Sequence, residues 1–337
     1  MKTLILCHHR RDEDELCDDD TVGMIATNCE NLEHLYIRVS TTNSALKQIS
    51  SLNQLKTLHI SNRNTVINAD NIEEMANNFK KLETFHVKCK SFDHIKALPG
   101  NAQRRIDEMK AAMKSFFQKQ KTLKKFTFTC GEMFSLGFLE AIDICQELEH
   151  FNTGNAVSYP LNKAEIEALS RLPKLKSLTL RMSSEMFRMS SLFGIDVPVF
   201  DISSAFDSFM TNAFFEEMEY LDLSRNEDLT IENFGYLSER SFPKLITLDL
   251  DFCSNLKLNN GILTKLLSNA PRLRRLKLID VEVGEVSEEL FYRLQMKHIL
   301  VHIKYNVPSS ERPPSKSFIK SLSEEMEQHE DLFEDFY

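Results

Sequence analysis

Apolar residues recur along the chain in a short motif, apolar-x-x-apolar-x-apolar, of which Leu245, Leu248 and Leu250 form a clear copy. Eleven copies begin at residues 1, 32, 55, 82, 123, 148, 175, 218, 245, 273 and 296, and those at 1, 148 and 296 are weaker than the others. Eight of the ten intervals between copies measure 23–31 residues. Such a regular spacing indicates a repeat protein.

Each copy of the motif predicts a short strand, and most copies predict a helix after it. Apolar and polar positions alternate within the strand, so the apolar side chains share one buried face. Between strands, apolar residues recur at helical spacing, as Leu263, Leu266 and Leu267 do over 261–270. The sequence therefore predicts an alternation of strands and helices.

Two of these helices have recognisable starts. Asp70 with Glu73, and Asn162 with Glu165, have the spacing of a capping box, in which the first side chain caps the helix and the second reaches back to it. We therefore expect each pair to mark the beginning of a helix.

Stacking of the copies predicts the fold. One strand and one helix cannot bury their apolar faces alone, whereas stacked copies share a continuous core. Because helices take more room than strands, parallel strands with helical returns would bend the array into a horseshoe. The predicted fold class is α/β, a horseshoe solenoid of about eleven strand–helix repeats with a parallel sheet on its concave face.

The array is expected to occupy residues 1–307. Two of its repeats are oversized, at 82–122 and 175–217. The first adds a Pro-Gly turn before a long helical stretch, and the second adds a segment rich in Met and Phe, 183–217. That segment is either a degenerate repeat with local core or a loop that leans over the binding face. Residues 308–337, rich in Pro, Ser and Glu, predict a flexible acidic tail.

Charge is concentrated in two segments. The net charge is −9, and residues 10–20 and 311–337 each contribute −5, so the rest of the chain is nearly neutral. A neutral body with acidic segments has no general attraction for nucleic acid. No apolar run approaches the roughly 18 residues of a membrane helix, and the apolar stretch after Met1 is too short for a signal peptide. We expect no nucleic-acid or membrane partner, a cytoplasmic or nuclear location, and reduced cysteines.

The array begins without a polar cap. Met1, Leu4 and Leu6 start a strand at once, although a terminal repeat normally shields its core with polar residues. The sequence predicts that the chain is an incomplete product or that another element pairs with it there.

Residues 248–278 resemble the cysteine-containing leucine-rich repeat (LRR) of F-box/LRR proteins. Cys253 stands where that motif has a cysteine after its strand, and Cys29 and Cys145 match the C-x-x-L sequence that precedes the next strand. Residues 221–226, LDLSRN, are closer to the general LxLxxN form, and the repeat length is also similar to that of ribonuclease-inhibitor-like solenoids. The resemblance covers nearly the whole chain and implies an LRR fold used for protein recognition.

The chain departs from that family in one respect. Its repeats begin at Met1, and no F-box motif is visible on either side of them. The resemblance implies substrate recognition for a cullin ubiquitin ligase, reached through a missing or separate F-box. The alternative is a stand-alone LRR scaffold or inhibitor that binds a protein without ligase coupling.

Candidate groups for catalysis or metal binding are weak. Cys7, His8, His9 and Cys17 lie close in sequence, but they lack the paired cysteines at motif spacing that zinc sites use, so we interpret them as strand edge and loop. The sequence has no nucleophile elbow and no glycine-rich phosphate loop. It predicts no enzymatic activity, no cofactor and no bound metal.

The polar strand positions predict a binding surface. They point away from the core and share one face across neighbouring strands, over a span of roughly 50 Å. That span suits a protein partner better than a small ligand. The candidate partner-binding residues on this concave face are Tyr36, Arg38, His59, His86, Lys88, Lys125, Arg181, Tyr220, Asp222, Asp249, Asp251, Arg275 and Lys277. The alternative is that these positions are polar because they are solvated.

The charge of this face changes along the array. The first seven strands are net basic, and Asp222, Asp249 and Asp251 then cluster on two adjacent strands before Arg275 and Lys277 reverse the sign. Like charges on adjacent strands repel unless something compensates them. Two explanations remain open: Arg275 or Lys277 neutralises the aspartates internally, or a partner docks a Lys or Arg between them.

Overall fold

The eleven predicted strand positions form one continuous sheet. The structure is a computed structural model, which describes residues 1–7, 16–17, 19–61, 65, 67–89, 102–130, 137, 139–152, 163–180, 207, 209, 211, 213–226, 229–284, 287–296 and 300–304. Numbered in chain order, the strands of this sheet are β1 (Thr3–Leu6), β3 (His34–Ile37), β5 (Thr57–Ser61), β6 (Thr84–Cys89), β7 (Lys125–Cys130), β8 (His150–Asn152), β9 (Ser177–Thr179), β10 (Tyr220–Asp222), β11 (Thr247–Asp249), β13 (Arg275–Ile279) and β15 (Leu300–Lys304). Every pair from β1 to β13 is parallel.

Four two-residue strands form two small parallel sheets beside the main one. β2 (Leu16–Cys17) pairs with β4 (Ser40–Thr41), and β12 (Lys257–Leu258) pairs with β14 (Glu282–Val283). Each of these pairs links connections that follow neighbouring strands of the large sheet.

Helices occupy most of the connections between the strands. They are α1 (Asp19–Asn28), α2 (Asn43–Ile49), α3 (Ala69–Asn78), α4 (Ala102–Lys119), α5 (Lys163–Ser170), α6 (Ile231–Glu239), α7 (Asn260–Asn269) and α8 (Glu288–Met296), with a 3-10 turn at Ile142–Ile144. Helices that follow one another pack together, as α1 does on α2, α3 on α4 and α6 on α7. This parallel sheet with helical returns confirms the predicted α/β leucine-rich-repeat fold. The horseshoe curvature and the number of complete repeats stay predictions.

The core lies between the sheet and the helices. From β3 to β11 the apolar strand positions are buried, Leu58 and Ile60 of β5 for example. In the oversized repeat 82–122, α4 provides the predicted long helix, and its Phe116 ring packs 4.8 Å from the ring of Phe85 in β6. The helices therefore cover one face of the sheet. The Pro-Gly turn at residues 99–100 lies outside the described residues, as does most of the second insertion.

The helix starts differ in part from the predicted ones. The side chain of Asn68, not Asp70, caps α3, and it forms a reciprocal capping box with Asn71. The predicted box of Asp70 and Glu73 is therefore wrong, because both residues lie inside the helix. At α5, Asn162 lies outside the described residues, and Glu165 is fully buried with its carboxylate accepting a hydrogen bond from the Leu139 backbone N–H.

The two ends of the array are described to different extents. Residues Met1–Ile303 form one compact unit. Its first strand, β1, lies at the edge of the sheet, and its Leu4 and Leu6 are partly buried against the core. The predicted tail, 308–337, lies outside the described residues, so its boundary and flexibility stay predictions.

Alternating charges mark the position that immediately precedes each of the first eight strands of the large sheet. In pairing order these residues are Lys2, Glu33, Lys56, Glu83, Lys124, Glu149, Lys176 and Glu219. Four ion pairs of 2.6–2.9 Å connect members of this row: Lys2–Glu33, Lys56–Glu33, Lys124–Glu83 and Lys176–Glu149. Two flanking lysines hold the pKa of Glu33 at about 2. Because a shift in strand pairing would separate these partners, the row favours the observed register.

Candidate protein-binding surface

The polar strand positions lie on the face of the sheet opposite the helices, which we call the open face. Along β3 and β5 these positions are partly exposed, whereas the alternate positions are buried. The strand register aligns them in rows, so that Tyr36 lies beside His59, His59 beside His86, and His86 beside Thr127. The register therefore places these polar positions of β3, β5, β6 and β7 side by side, and their use by a partner stays a prediction.

An aromatic row crosses three neighbouring strands of the open face. The rings of His59 and His86 stack with centroids 3.8 Å apart and planes only 5° from parallel. The Tyr36 ring lies 5.7 Å from His59 on the other side, tilted by 38°. In the next row, His34 Nδ1 lies 3.0 Å from Thr57 Oγ1. The sequence placed these residues on one face but did not reveal that the two imidazoles stack.

Three cations surround the aromatic row. Burial lowers the pKa of His59, and the positive charge of Arg38 lowers it further. Burial also lowers the pKa of His86 to about 4, with further contributions from His59 and Lys88. Lys125 is exposed beside Thr84 and lowers the pKa of His150, after the larger effect of burial. We call Tyr36, Arg38, His59, His86, Lys88 and Lys125 the basic-aromatic patch.

Among the described strand positions of this part of the open face, no acidic side chain stands beside the patch. The described open-face positions from β1 to β9 carry basic or neutral residues. Within the described part of the chain, neither Lys88 nor Lys125 forms an ion pair. Both ammonium groups are therefore available to an anionic partner. Arg181, predicted to extend this basic region, lies outside the described residues.

The three predicted aspartates are nearly buried. Asp222, Asp249 and Asp251 are 1%, 4% and 8% exposed. Asp249 Oδ2 lies 2.9 Å from Lys277 Nζ, which is the internal neutralisation that the sequence left open. Arg275, half-buried, is aligned with Thr247 on the neighbouring strand.

Each of these carboxylates also accepts hydrogen bonds within the fold. Asp222 accepts from the Ser224 N–H at 2.9 Å, and from the Tyr220 hydroxyl at 3.4 Å. Asp249 accepts from the Asp251 N–H at 3.1 Å, and Asp251 accepts from the Ile279 N–H at 2.7 Å. These contacts give the aspartates a structural role in holding the ends of β10, β11 and β13. A role in partner binding stays a prediction.

Three turns at this end of the array share an uncommon backbone conformation. Arg225, Phe252 and Asp280 follow β10, β11 and β13, and their φ angles are 63°, 61° and 56°. The Arg225 guanidinium lies 5.2 Å from the centre of the Phe252 ring. Non-glycine residues rarely adopt positive φ, so nothing in the residue types predicted these turns.

Two of the three cysteines that suggested a family resemblance serve as buried hydrogen-bond donors. Cys253 Sγ donates to the Leu223 carbonyl at 3.1 Å, and Cys145 Sγ donates to the Gln120 carbonyl at 3.6 Å. Burial raises the pKa of both thiols to about 12. They therefore stay protonated and connect one repeat to the next.

Other candidate sites are weaker. In the described part of the chain, no group of His, Cys, Asp and Glu side chains could hold a metal ion. A shallow depression between α1 and α2, lined by Gly23, Met24 and Gln48 among others, lies on the helical side of the sheet. Among the described helices, none combines the length and apolar character needed to cross a bilayer.

The repeats and the sheet define the chain as a leucine-rich-repeat protein. No protein-family model matches it, and no curated protein matches its sequence. Among solved structures it is similar to an LRR protein of Leptospira interrogans, with 15% identity and a TM-score of 0.46 over 88% of this chain and 66% of that one. This chain therefore spans just under two thirds of that protein. It is also similar to a chain in the structure of the Rad7 and Elc1 complex in yeast, with 15% identity and a TM-score of 0.36 over 80% and 75% of the two chains.

Proposed function

We propose that this chain recognises another protein through the open face of its sheet. The observation that carries the proposal is the continuous eleven-stranded sheet, whose polar side chains are aligned in rows on the face away from the helices. Eleven strands at about 4.8 Å give a surface roughly 50 Å long. Small ligands bind in compact apolar pockets, whereas an extended polar surface of this length suits a polypeptide.

The more specific proposal is substrate recognition of the F-box/LRR ubiquitin-ligase type. It is supported by the cysteine-containing repeats, in which buried Cys253 and Cys145 connect successive repeats as donors. The cullin complex would be reached through a separate or missing F-box. The alternative, a stand-alone scaffold or inhibitor, uses the same open face without ligase coupling.

Site-specific crosslinking tests the open face. Thr127, which lies on the open face beside His86, is replaced by the photo-crosslinking residue benzoylphenylalanine. The matched control replaces Lys114, exposed on α4 on the helical side. A partner identified by mass spectrometry should crosslink at Thr127 and not at Lys114, and should bind the chain when both are purified. Crosslinking of the same partner at Lys114 alone would contradict the proposed surface.

Copurification with the cullin adaptor tests the ligase proposal. If the chain itself engages the ligase, the purified chain and adaptor should elute together in size-exclusion chromatography. Because the F-box can be a separate protein, the experiment is repeated with F-box proteins that copurify with the chain. If none of them brings the chain and the adaptor together, while the crosslinked partner still binds, the stand-alone scaffold or inhibitor is the better description.

A further inference from the structure

We infer that the basic-aromatic patch binds an acidic peptide segment of the partner protein, with carboxylates placed over the stacked His59–His86 pair. The inference rests on the proposed function, since it specifies which part of the open face is used and which chemistry it selects. It is carried by the stacked rings, by the cations around them and by the basic or neutral character of the described strand positions on that part of the face.

The positive charge of the patch favours an anionic partner. Arg38 and Lys88 lie close enough to the two imidazoles to influence their protonation, and Lys125 lies one strand beyond. Lys88 and Lys125 form no ion pair within the described residues. The nearest row of carboxylates, Glu33, Glu83 and Glu149, precedes the strands and is paired with lysines of its own row. A local excess of positive charge therefore remains for a partner, and complementary charge sets specificity and association rate.

The stacking geometry of the His59 and His86 rings also favours an anionic partner. His59 and His86 stack at 3.8 Å along the row, so each ring covers one face of the other, and both side chains remain partly exposed. The edge of an aromatic ring is electropositive, and a neutral imidazole also carries one N–H donor. Burial and the neighbouring cations keep the pKa of His86 at about 4, so this donor is present without a second positive charge at neutral pH. Such an edge suits a carboxylate better than a cation.

The small number of cations in the patch favours an acidic peptide over a nucleic acid. A nucleic acid is held by many phosphate contacts, and its affinity grows with the number of lysines and arginines that reach them. Here three cations are grouped on a chain whose net charge is −9. A short acidic peptide needs only a few charge contacts. From β3 to β7 the patch crosses three strand spacings of about 4.8 Å, which an extended segment of about five residues would span.

The experiment uses the full chain and a fluorescent peptide in which Glu and Tyr alternate. Two counterparts carry Gln or Lys in place of Glu, and a single-stranded DNA of similar length is the polyanion control. Fluorescence anisotropy should show binding of the Glu peptide that weakens as salt rises, and much weaker binding of the Gln and Lys peptides. Equal binding of the Gln peptide, or tighter binding of the DNA, would overturn the inference.

Matched charge reversals test whether the Glu peptide binds at the basic-aromatic patch. Lys88→Glu with Lys125→Glu should weaken the Glu peptide at least about tenfold. The control, Lys114→Glu with Lys121→Glu, makes the same change in net charge on the helical side and should leave affinity within about twofold. Lys88→Gln with Lys125→Gln provides a milder second pair, and thermal unfolding verifies that each variant is folded. An equal loss in the control pair would show that net charge, not the patch, governs binding.

The two proposals can fail separately. If a partner crosslinks at Thr127 but the charge reversals leave both that partner and the Glu peptide unaffected, the acidic-peptide inference is wrong and the open-face proposal stands. If the Glu peptide binds the patch but no protein crosslinks at the open face, the proposed function fails instead.

Discussion

The stacked pair of His59 and His86 shows how two polar residues acquire properties that neither has alone. Each would be an ordinary solvated histidine on an isolated strand. In the sheet they bury each other, and protonation of one opposes protonation of the other. The result is two neutral imidazoles beside Arg38 and Lys88, which makes the pair sensitive to mild acid.

We predict that His86 makes the fold less stable as the pH falls. Its pKa is about 4 in the folded state against a usual value of 6.5, so the unfolded chain binds the proton more readily. Its contribution is therefore complete above pH 6.5 and is lost as the pH falls from 6.5 toward 4, by on the order of 2 kcal/mol. Chemical denaturation of the wild type and of His86→Gln at several pH values measures this. The difference between their free energies of unfolding should shrink as the pH falls. A difference that does not change with pH would contradict the prediction.

The aspartates of the open face give a second prediction at this scale. Burial raises the pKa of Asp251 to about 6, so at neutral pH the carboxyl is ionised at a cost to the stability of the fold. Asp251→Asn keeps an oxygen for the Ile279 N–H and should stabilise the protein by about 1 kcal/mol at neutral pH. This gain should vanish as the pH falls from 6 toward 3.8, because the wild-type carboxyl then takes up a proton.

The neighbouring aspartate provides the matched comparison. Asp249→Asn is the same chemical change, but it removes the charge that pairs with Lys277 at 2.9 Å. It should destabilise the protein by about 1 kcal/mol. Urea denaturation of both variants tests the pair, and a loss of stability in both would show that the raised pKa of Asp251 carries no penalty.

At the scale of elements, short-range hydrogen bonds decide where the helices begin. α3 and α6 both begin with a reciprocal box that has Asn at its third position, Asn71 and Asn233, rather than Glu or Gln. The Asn71 side chain also donates to the Asn43 carbonyl of the preceding repeat. These caps therefore connect repeats as well as starting helices.

We predict that Asn68→Ala destabilises the protein by about 1 kcal/mol, since it leaves a backbone N–H of α3 without its acceptor. Asp70→Ala is the matched control two residues later, where the side chain is exposed inside the first turn. It should cost no more than a few tenths of a kcal/mol through the helix dipole. Thermal unfolding of the two variants compares them directly. Equal losses would mean that the cap at Asn68 contributes little.

Over the whole molecule, the interactions within the sheet are mainly between repeats that are neighbours in sequence. Each strand bonds to the strands on either side, so a change in the middle acts first on adjacent repeats. An aromatic cluster joins neighbouring repeats at β7: Phe126 lies 5.3 Å from Phe117 of α4 and 5.9 Å from Phe85 of β6. It also stacks on Phe151 of β8 at 6.1 Å.

Phe126→Ala should therefore destabilise the array by about 3–5 kcal/mol, since it removes a large buried ring. Hydrogen exchange should increase most in β6, β7 and β8, and least in β11 and β13. Thr127→Ala on the same strand, but on the open face, should leave exchange nearly unchanged. A uniform increase across all strands would show that the array unfolds as one cooperative unit.

The sequence by itself determined the strands, their buried faces and the residues that share the opposite face. The apolar motif carries this information because alternation along a strand is a local property. It also predicted the long helix of 82–122 and left open the internal neutralisation of Asp249 by Lys277.

Tertiary structure decided which of those polar positions a partner could reach. Strand register brings residues from successive repeats side by side, and the same pattern of positions gives half-buried imidazoles on β5 and β6 but nearly buried carboxylates on β10 and β11. The stacking of His59 on His86 and the bond from Ile279 to Asp251 depend on the distance between strands. That distance is fixed only when the repeats stack, because burial and pKa depend on neighbours that lie far away along the chain.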